Sequence, residues 1–310
     1  MTFHLFGNIL TSYGTAANNR GENEGNITTL QKIQWKNDIH TTVSAEAIRW
    51  ALRYYWQTSS GNYAVNRRWD EDAKPVPNHD WQDINCDELR FIDDDVLGFM
   101  RAEAAKEEAT DEPKAKGKKA RLKGTTTAKR GVLEVTRAVS TTPYAGDITF
   151  NAKSGEKSST SLYGTEVHAT CYQYGFALTP DRLKDKSRII PVLDGLISLG
   201  EVGGNHSRFL YDFSPDSIVL RWTHDFSPRI LYCFEEDEDG QFSVPKLIER
   251  IQNGDIDPKE LWVAGAIAKT PDGEKLEESG VNVLGGTKRL VEILKQRIAL
   301  NLQLPQQELV

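Results

Sequence analysis

The spacing of hydrophobic positions in this chain switches between two periods, and the switches mark its elements. Over residues 3–11, Phe3, Leu5, Gly7, Ile9 and Thr11 fall on one face and His4, Phe6, Asn8 and Leu10 on the other, which predicts a strand. No apolar residue occurs between Asn18 and Asn26, so a long polar loop is expected there, leading into the spaced cations Lys32 and Lys36 and the ring of His40. Thr42-Val43-Ser44-Ala45-Glu46 is a helix-start signal, with Ser44 at the N-cap and Glu46 in the first turn. Ile48, Leu52 and Tyr55 then recur at helical spacing and give this helix a buried face. Arg49 and Arg53, four apart, share one of its flanks.

Residues 58–95 are rich in Trp, Asn, Pro and Asp and read as an insertion with little regular structure. Leu89, Ile92, Val96, Leu97 and Met100 restore a helical period over Glu88–Ala105. Complexity then falls. Residues 103–130 hold Leu122 as their one large apolar residue, too little to offset the entropy of ordering, so this basic linker is expected to be mobile. Val132, Val135 and Val139 mark a β-rich stretch, and the polar segment Ser140–Gly164, set between two strands, predicts a protruding β-hairpin. Val167–Thr179 reads as a strand. Ile189–Leu199 reads as a helix with Pro191 in its first turn and Gly200 as its stop. Phe209–Phe213 and Ser217–Thr223 predict short strands around the turn Ser214-Pro215-Asp216. Ser243 is the expected cap of a helix over Pro245–Ile251 closed by Gly254. Leu261–Ile267 is a further strand. Thr287 opens a last helix with Leu290, Val291, Ile293, Leu294 and Ile298 on its buried side. No internal repeat is visible. The order strand, helix, strands, helix, strands suits a ferredoxin-like βαββαβ unit, the fold of many RNA-binding domains. The expected class is therefore α+β, a ferredoxin-like (RRM-like) palm with insertions.

Charge qualifies this picture. The chain has 38 Lys+Arg against 45 Asp+Glu, a net −7, where a nucleic-acid binder is often basic. The distribution is uneven, however. From Lys114 to Arg130 there are eight cations and no acid; taking those eight away leaves −15 on the remaining residues, notably in Glu235-Glu236-Asp237-Glu238-Asp239. A cationic groove on an acidic surface fits these counts, and so does a soluble protein with one basic tract. Cys86, Cys171 and Cys233 are odd in number and far apart, as expected in a reducing cytoplasm. Neither a signal peptide nor an apolar run of membrane-spanning length is seen, so no membrane association is expected.

Catalytic signals are sparse. The six histidines are scattered, and neither His79-Asp80 nor His224-Asp225 has a second His or a CxxC nearby, so no metal and no cofactor are expected. GxSxG, Walker A and GxGxxG motifs are missing. What remains is a way to hold phosphates. A cationic loop feeding a helix N-terminus supplies backbone N–H groups and a dipole, and an arginine stripe supplies bidentate contacts. The same residues also fit a surface loop and an ordinary amphipathic helix. Gly203 and Gly204 permit close backbone approach to a ligand, and Asn205, His206, Ser207 and Arg208 follow with donors.

Asn19-Arg20, the later lysines, Val43-Ser44 followed by Ala47-Ile48-Arg49, and Leu52-Arg53 resemble the start of the CRISPR-associated backbone subunits, the repeated "seven" subunits of Cascade-type complexes. Two further segments, Lys129–Asn151 (KRGVLEVTRAVSTTPYAGDITFN) and Gly195–Thr223 (GLISLGEVGGNHSRFLYDFSPDSIVLRWT), resemble the DevR/Cst-like branch of type I-B systems. The resemblance implies a palm (1–57, 131–139 and 166–310), an inserted finger region (58–130, including the linker 103–130) and a thumb hairpin (140–165). It implies a non-catalytic subunit that binds CRISPR RNA, polymerises with copies of itself along the guide spacer, and reaches target DNA through the guide. The implied partners are the repeat-handle-binding, large and small Cascade subunits, with a recruited nuclease–helicase or transposition machinery. Asn19, Arg20, Lys32, Lys36 and His40 would line the RNA groove from the first loop. Ser44, Arg49 and Arg53 would hold phosphates at the helix, and Gly203, Gly204, Asn205, His206 and Arg208 would form the opposite lip. Lys129, Arg130 and Arg137 would sit at the base of the thumb, with Tyr144, Phe150 and Tyr163 as wedge residues or, equally, as anchors of the hairpin. Two alternatives stand beside this reading. One is a type III-like subunit cutting RNA with a metal through Glu22, Glu24 or Asp38. The other is an RNA-free regulatory or interaction protein.

Overall fold

The computed structural model describes residues 1–17, 23–61, 63–76, 78–102, 126–152, 162–200, 202–203 and 210–305. Strand β1 (His4–Thr11) lies where the alternation puts it and is buried along its whole length. The described part of the expected first loop is largely short strands: β2 (Gly14–Ala16), β3 (Asn23–Glu24), β4 (Ile27–Thr28), β5 (Lys32–Trp35) and β6 (Asp38–Val43). Polar, partly exposed strands this short carry no readable alternation. The β5–β6 pair closes at Trp35↔Asp38, which leaves Lys36-Asn37 as a two-residue turn with Lys36 at φ 56°. Helix α1 (Ala45–Thr58) starts as predicted, the Ser44 hydroxyl accepting from the Ala47 N–H at 3.1 Å, and it buries Ile48, Ala51, Leu52 and Trp56.

The insertion carries a hairpin that the composition concealed, β7 (Arg67–Asp70) with β8 (Asn78–Trp81). The helix predicted over residues 88–105 is much shorter. Helix α2 spans Ile92–Leu97, Gly98 at φ 68° ends it, and the chain continues as β9 (Gly98–Ala102) paired with β10 (Thr126–Arg130). A Cβ on Gly98 would lie 2.3 Å from the Lys129 carbonyl oxygen, so this crossing requires glycine. Residues 103–125, most of the low-complexity linker, lie outside the described residues.

The second half begins with β11 (Glu134–Val135), β12 (Ala138–Ser140), β13 (Ile148–Ala152), β14 (Leu162–Glu166), β15 (His168–Thr170) and β16 (Tyr172–Leu178), followed by α3 (Ile189–Leu196). The strand expected at Phe209–Phe213 is not formed over its described residues. Tyr211 and Phe213 are core aromatics on irregular backbone, and the Phe213 N–H donates to the Gly200 carbonyl at 3.0 Å. The chain ends with β17 (Pro215–Thr223), β18 (Glu235–Glu236), β19 (Phe242–Ser243), α4 (Pro245–Gln252), β20 (Leu261–Gly265), α5 (Pro271–Glu278), β21 (Asn282–Leu284) and α6 (Thr287–Leu302). Ser243 closes β19 and does not cap α4, whose N-cap is Val244 ahead of Pro245.

The chain is thus α+β around a central sheet of order β21-β20-β17-β1-β16-β12-β6-β5, with β11 also paired to β16. Neighbours within β17-β1-β16-β12 are antiparallel throughout, with α1 lying between β1 and β12 in the chain and α3 between β16 and β17. On one face, Leu5, Ile9, Tyr174, Phe176, Ile218 and Leu220 pack against Leu52 and Trp56 of α1, Leu193 of α3 and Leu294 of α6. On the other, Phe6, Leu10 and Val219 join Ile230, Phe234 and Leu247 in a second, smaller core. Each such buried leucine or phenylalanine contributes about 1.5–3 kcal/mol, so the sheet is fixed from both sides. Among the described residues no helix is long and apolar enough to cross a membrane.

Candidate nucleic-acid interface

The segments singled out in the sequence meet at their roots. Ala16, Ala17, Val43, Tyr172, Val202, Tyr211 and Phe213 line one small cleft. The last described residue before the gap in the first loop, the residue ahead of the α1 cap and the start of the glycine turn are therefore neighbours. Gly203 sits at φ 77°. Asn19, Arg20, Glu22, Gly204, Asn205, His206 and Arg208 lie outside the described residues.

A buried polar network supports this junction. The Tyr211 hydroxyl donates to the Thr170 carbonyl at 2.9 Å and lies 2.7 Å from Thr11 Oγ1. The Thr41 hydroxyl lies 2.7 Å from both the Tyr172 hydroxyl and His168 Nδ1. Burial pushes Tyr172 up to about 12 and His168 below its ordinary value, so both groups stay neutral near pH 7. His40 belongs to the same interior. Its ring is buried and Nδ1 donates to the Ser140 carbonyl at 2.7 Å, so it faces inward and does not line a groove.

The predicted hairpin is present as β13–β14, and it is not free-standing. Strand β14 pairs in parallel with β4, giving a second sheet of order β13-β14-β4-β3 that joins the hairpin to the first loop. Glu166 locks the seam, accepting from the Leu30 N–H at 2.6 Å and from Lys32 Nζ at 2.5 Å. Lys32 also lies 4.8 Å from the centroid of the Tyr144 ring, and Tyr144 is raised by burial and by Glu166. Arg137 donates to Gln31 Oε1 at 3.1 Å and to the Thr42 hydroxyl at 3.2 Å. Lys32, Tyr144 and Arg137 therefore brace the module. Lys36, at the exposed hairpin turn, has no partner among the described residues. Phe150 is 71% exposed and shares a hairpin face with exposed Ile148 and Leu162, whereas half-buried Tyr163 is on the opposite face.

The arginines of α1 are placed differently from expectation. Arg49 donates to the Leu97 carbonyl. Arg53 Nε donates to Asp93 Oδ2 at 3.1 Å, and burial, reinforced by the charge of Arg67, lowers Arg53 to about 10. Both side chains are turned onto α2, where the sequence hides a feature that pattern reading missed. Asp93, Asp94 and Asp95 are consecutive and all fully buried. Asp93 also accepts from the Asn66 N–H at 2.7 Å. Asp95 accepts from Lys129 Nζ at 3.1 Å, Arg188 Nη1 at 2.7 Å and the Lys184 N–H at 3.0 Å. Asp94 accepts from Asn66 Nδ2 at 2.7 Å, its other oxygen has no partner, and burial raises it to about 6. Arg53 thus ties the insertion to α1, Lys129 ties β10 to α2 within the insertion, and neither is open to a phosphate. Arg130, exposed, pairs with Glu134 at 2.6 Å. The one available signal was three acids inside an otherwise apolar run, Phe91-Ile92…Val96-Leu97, a placement that demands buried cationic partners.

Glu24 and Asp38 are exposed on the strands of the first loop. Among the described residues no group of three or more His, Cys, Asp or Glu is placed to hold a metal ion.

No protein-family model matches the chain. A curated relative, the CRISPR-associated protein Cas7/Cst2/DevR of Myxococcus xanthus (strain DK1622), is 44% identical over 293 residues, spanning 89% of this chain and 91% of the relative. The chain belongs to the Cas7/Cst2/DevR family. Two solved chains share its fold. One is from a "CRISPR RNA-guided surveillance complex, pre-nicking" (TM-score 0.61, 11% identity, 95% of this chain and 100% of that one). The other is from a "CRISPR RNA-guided surveillance complex" (TM-score 0.54, 13% identity, 96% and 99%). The chain therefore keeps the fold of these two chains over nearly its whole length.

Proposed function

We propose that this protein is a non-catalytic CRISPR RNA-binding backbone subunit of a cytoplasmic type I-B Cascade complex, copies of which repeat along the guide spacer. The observation that carries the reading is the convergence of the first loop, the α1 N-terminus and the glycine turn on one buried nook, next to a sheet that ties the first loop to the hairpin. The names of the curated relative and of the two structural neighbours support it. In this reading β17-β1-β16-β12 with α1 and α3 is the ferredoxin-like palm, residues 58–130 are the finger region and β13–β14 is the thumb. A subunit that must accept any guide binds phosphates and 2′-hydroxyls and leaves the bases to pair with target DNA. Lys36 and the undescribed Asn19, Arg20 and residues 204–208 are then the polar contacts, and Phe150 is the residue that meets a base face. The other Cascade subunits and a recruited nuclease–helicase or transposition machinery complete the assembly.

The test is to purify the protein from its host, record its ultraviolet absorbance and sequence any bound RNA. Short RNAs sharing one repeat-derived end are expected. A protein that is free of nucleic acid and also fails to bind added guide RNA would overturn the reading.

A further inference from the structure

A loop over residues 224–234 crosses the face of the central sheet opposite α1 and α3, and it is built with unusual backbone. Arg229 (φ 52°) and Tyr232 (φ 53°), neither of them glycine, both adopt the left-handed conformation. Such residues persist only where their surroundings over-determine them, and they concentrate at ligand sites. The surroundings here are explicit. Asp225, held at about 2 by the Ser227 N–H and Arg229, also accepts from the buried Arg221 at 3.0 Å. The Tyr232 N–H donates to Asn8 Oδ1 at 2.9 Å, and its hydroxyl donates to the Arg137 carbonyl at 2.8 Å. Leu231 rests on Gly175, where a Cβ would lie 2.3 Å from Leu231 Cδ2. A loop fixed at so many points does not collapse onto the sheet.

What it leaves open is a cavity of about 360 Å³, walled by Phe6, Val135 and Leu231, with His4, Glu134 and Arg182 among its lining. That volume is at the lower end of small-ligand sites. Phe226, also part of the lining, is 81% exposed and meets the His4 ring edge-on at 5.1 Å. The Glu134 carboxylate stands 2.6 Å from Arg130 and 3.8 Å from Arg182, two guanidinium groups to one carboxylate.

We propose that this cavity takes one unpaired nucleobase, stacked on Phe226 with its phosphate beside Arg182. The proposal rests on the nucleic-acid reading above and adds a site that reading does not contain. A planar base suits a pocket edged by the rings of Phe226, His4 and Phe6, and its attached phosphate matches the surplus positive charge around Glu134. An apolar side chain of a protein partner would fill the walls and leave that charge unmatched.

Photocrosslinking tests it. In one arm the complex is loaded with guide RNA carrying 5-iodouridine. In the other it holds natural guide and a target strand carrying 5-iododeoxyuridine. After irradiation and trypsin digestion, an adduct is expected on the peptide 222–229, and the arm that yields it identifies the guide or the target as the source. Per molecule of bound guide, Phe226→Ala is expected to lower the adduct about tenfold and Arg182→Ala several-fold. Phe226 is exposed, so its truncation leaves the fold intact. Bound guide with no adduct on this peptide in either arm, or an adduct undiminished by Phe226→Ala, overturns the proposal alone. Failure of the unaltered protein to hold guide RNA overturns the functional reading and this proposal together.

Discussion

The aspartate cluster under the insertion and the sheet that joins hairpin to first loop are both rich in cations, yet they use them in opposite ways. In the cluster, Arg53 and Lys129 meet carboxylates with no exposed surface, and each charge is neutralised inside the protein. In the hairpin sheet, Lys32 meets Glu166 at the seam, while Lys36 stays at an exposed turn and Phe150 stands in solvent. Arg49 and Arg53, which share a helix flank, look in sequence like the better phosphate holders. Whether a cation is available is decided by the acids that the fold brings to it, here from forty residues further along the chain.

The sharpest break in this comparison is Asp95→Ala. It strands the buried Arg188, leaves Lys129 with Glu88 alone, and is expected to lower stability by on the order of 3–5 kcal/mol in urea unfolding. Arg53→Ala comes next, with a loss of about 2–3 kcal/mol and no change in the salt dependence of guide binding; a shallower salt slope would return Arg53 to the RNA. Asp94 gives a pH signature. Its folded value of about 6 exceeds the ordinary 3.8, so the folded state keeps a proton that the unfolded chain has lost. Its contribution is complete below about pH 4 and is lost as pH rises to about 6. Asp94→Asn retains an acceptor for Asn66 and should therefore match the parent near pH 4 and exceed it by about 3 kcal/mol at pH 7.5. On the other side of the comparison, Phe150→Ala is expected to leave stability within about 0.5 kcal/mol and to weaken nucleic-acid binding by about 1–2 kcal/mol. Lys36→Ala should do least, making the slope of log K against log salt shallower by about 0.7 with the fold unchanged.

The elements legible in the sequence are those whose neighbours along the chain determine them. Strict alternation marked β1, the Ser44 cap and the Ile48–Leu52 spacing marked α1, and Pro191 marked the first turn of α3. The failures have one physical cause, partners that are remote in sequence. The helical period over residues 88–105 is real as far as Leu97, but it cannot reveal that β10 pairs with the chain from Gly98 onward and draws it into a strand. The two-residue strand β4 is held between β3, its neighbour in the chain, and the remote β14. His40 read as a groove residue because a histidine next to lysines looks exposed until β12 supplies the carbonyl that buries it. Within the candidate site, Ser44 and the hairpin were visible in sequence. The aspartate triplet carried one local signal, its place inside an apolar run, but the cations that neutralise it come from residues as far away as Arg53 and Arg188.

The bond from the Leu30 N–H to Glu166 spans 136 residues of chain. At translation rates of 5–20 residues per second, Leu30 leaves the peptidyl-transferase centre roughly 7 to 27 seconds before Glu166 is added. During that interval β4 has no β14 beside it, and the seam between first loop and hairpin does not exist. A nascent or truncated chain ending before residue 166 consequently has the cations of the first loop without the sheet that organises them. Synthesis itself thus delays the finished surface until more than half of the protein has been made.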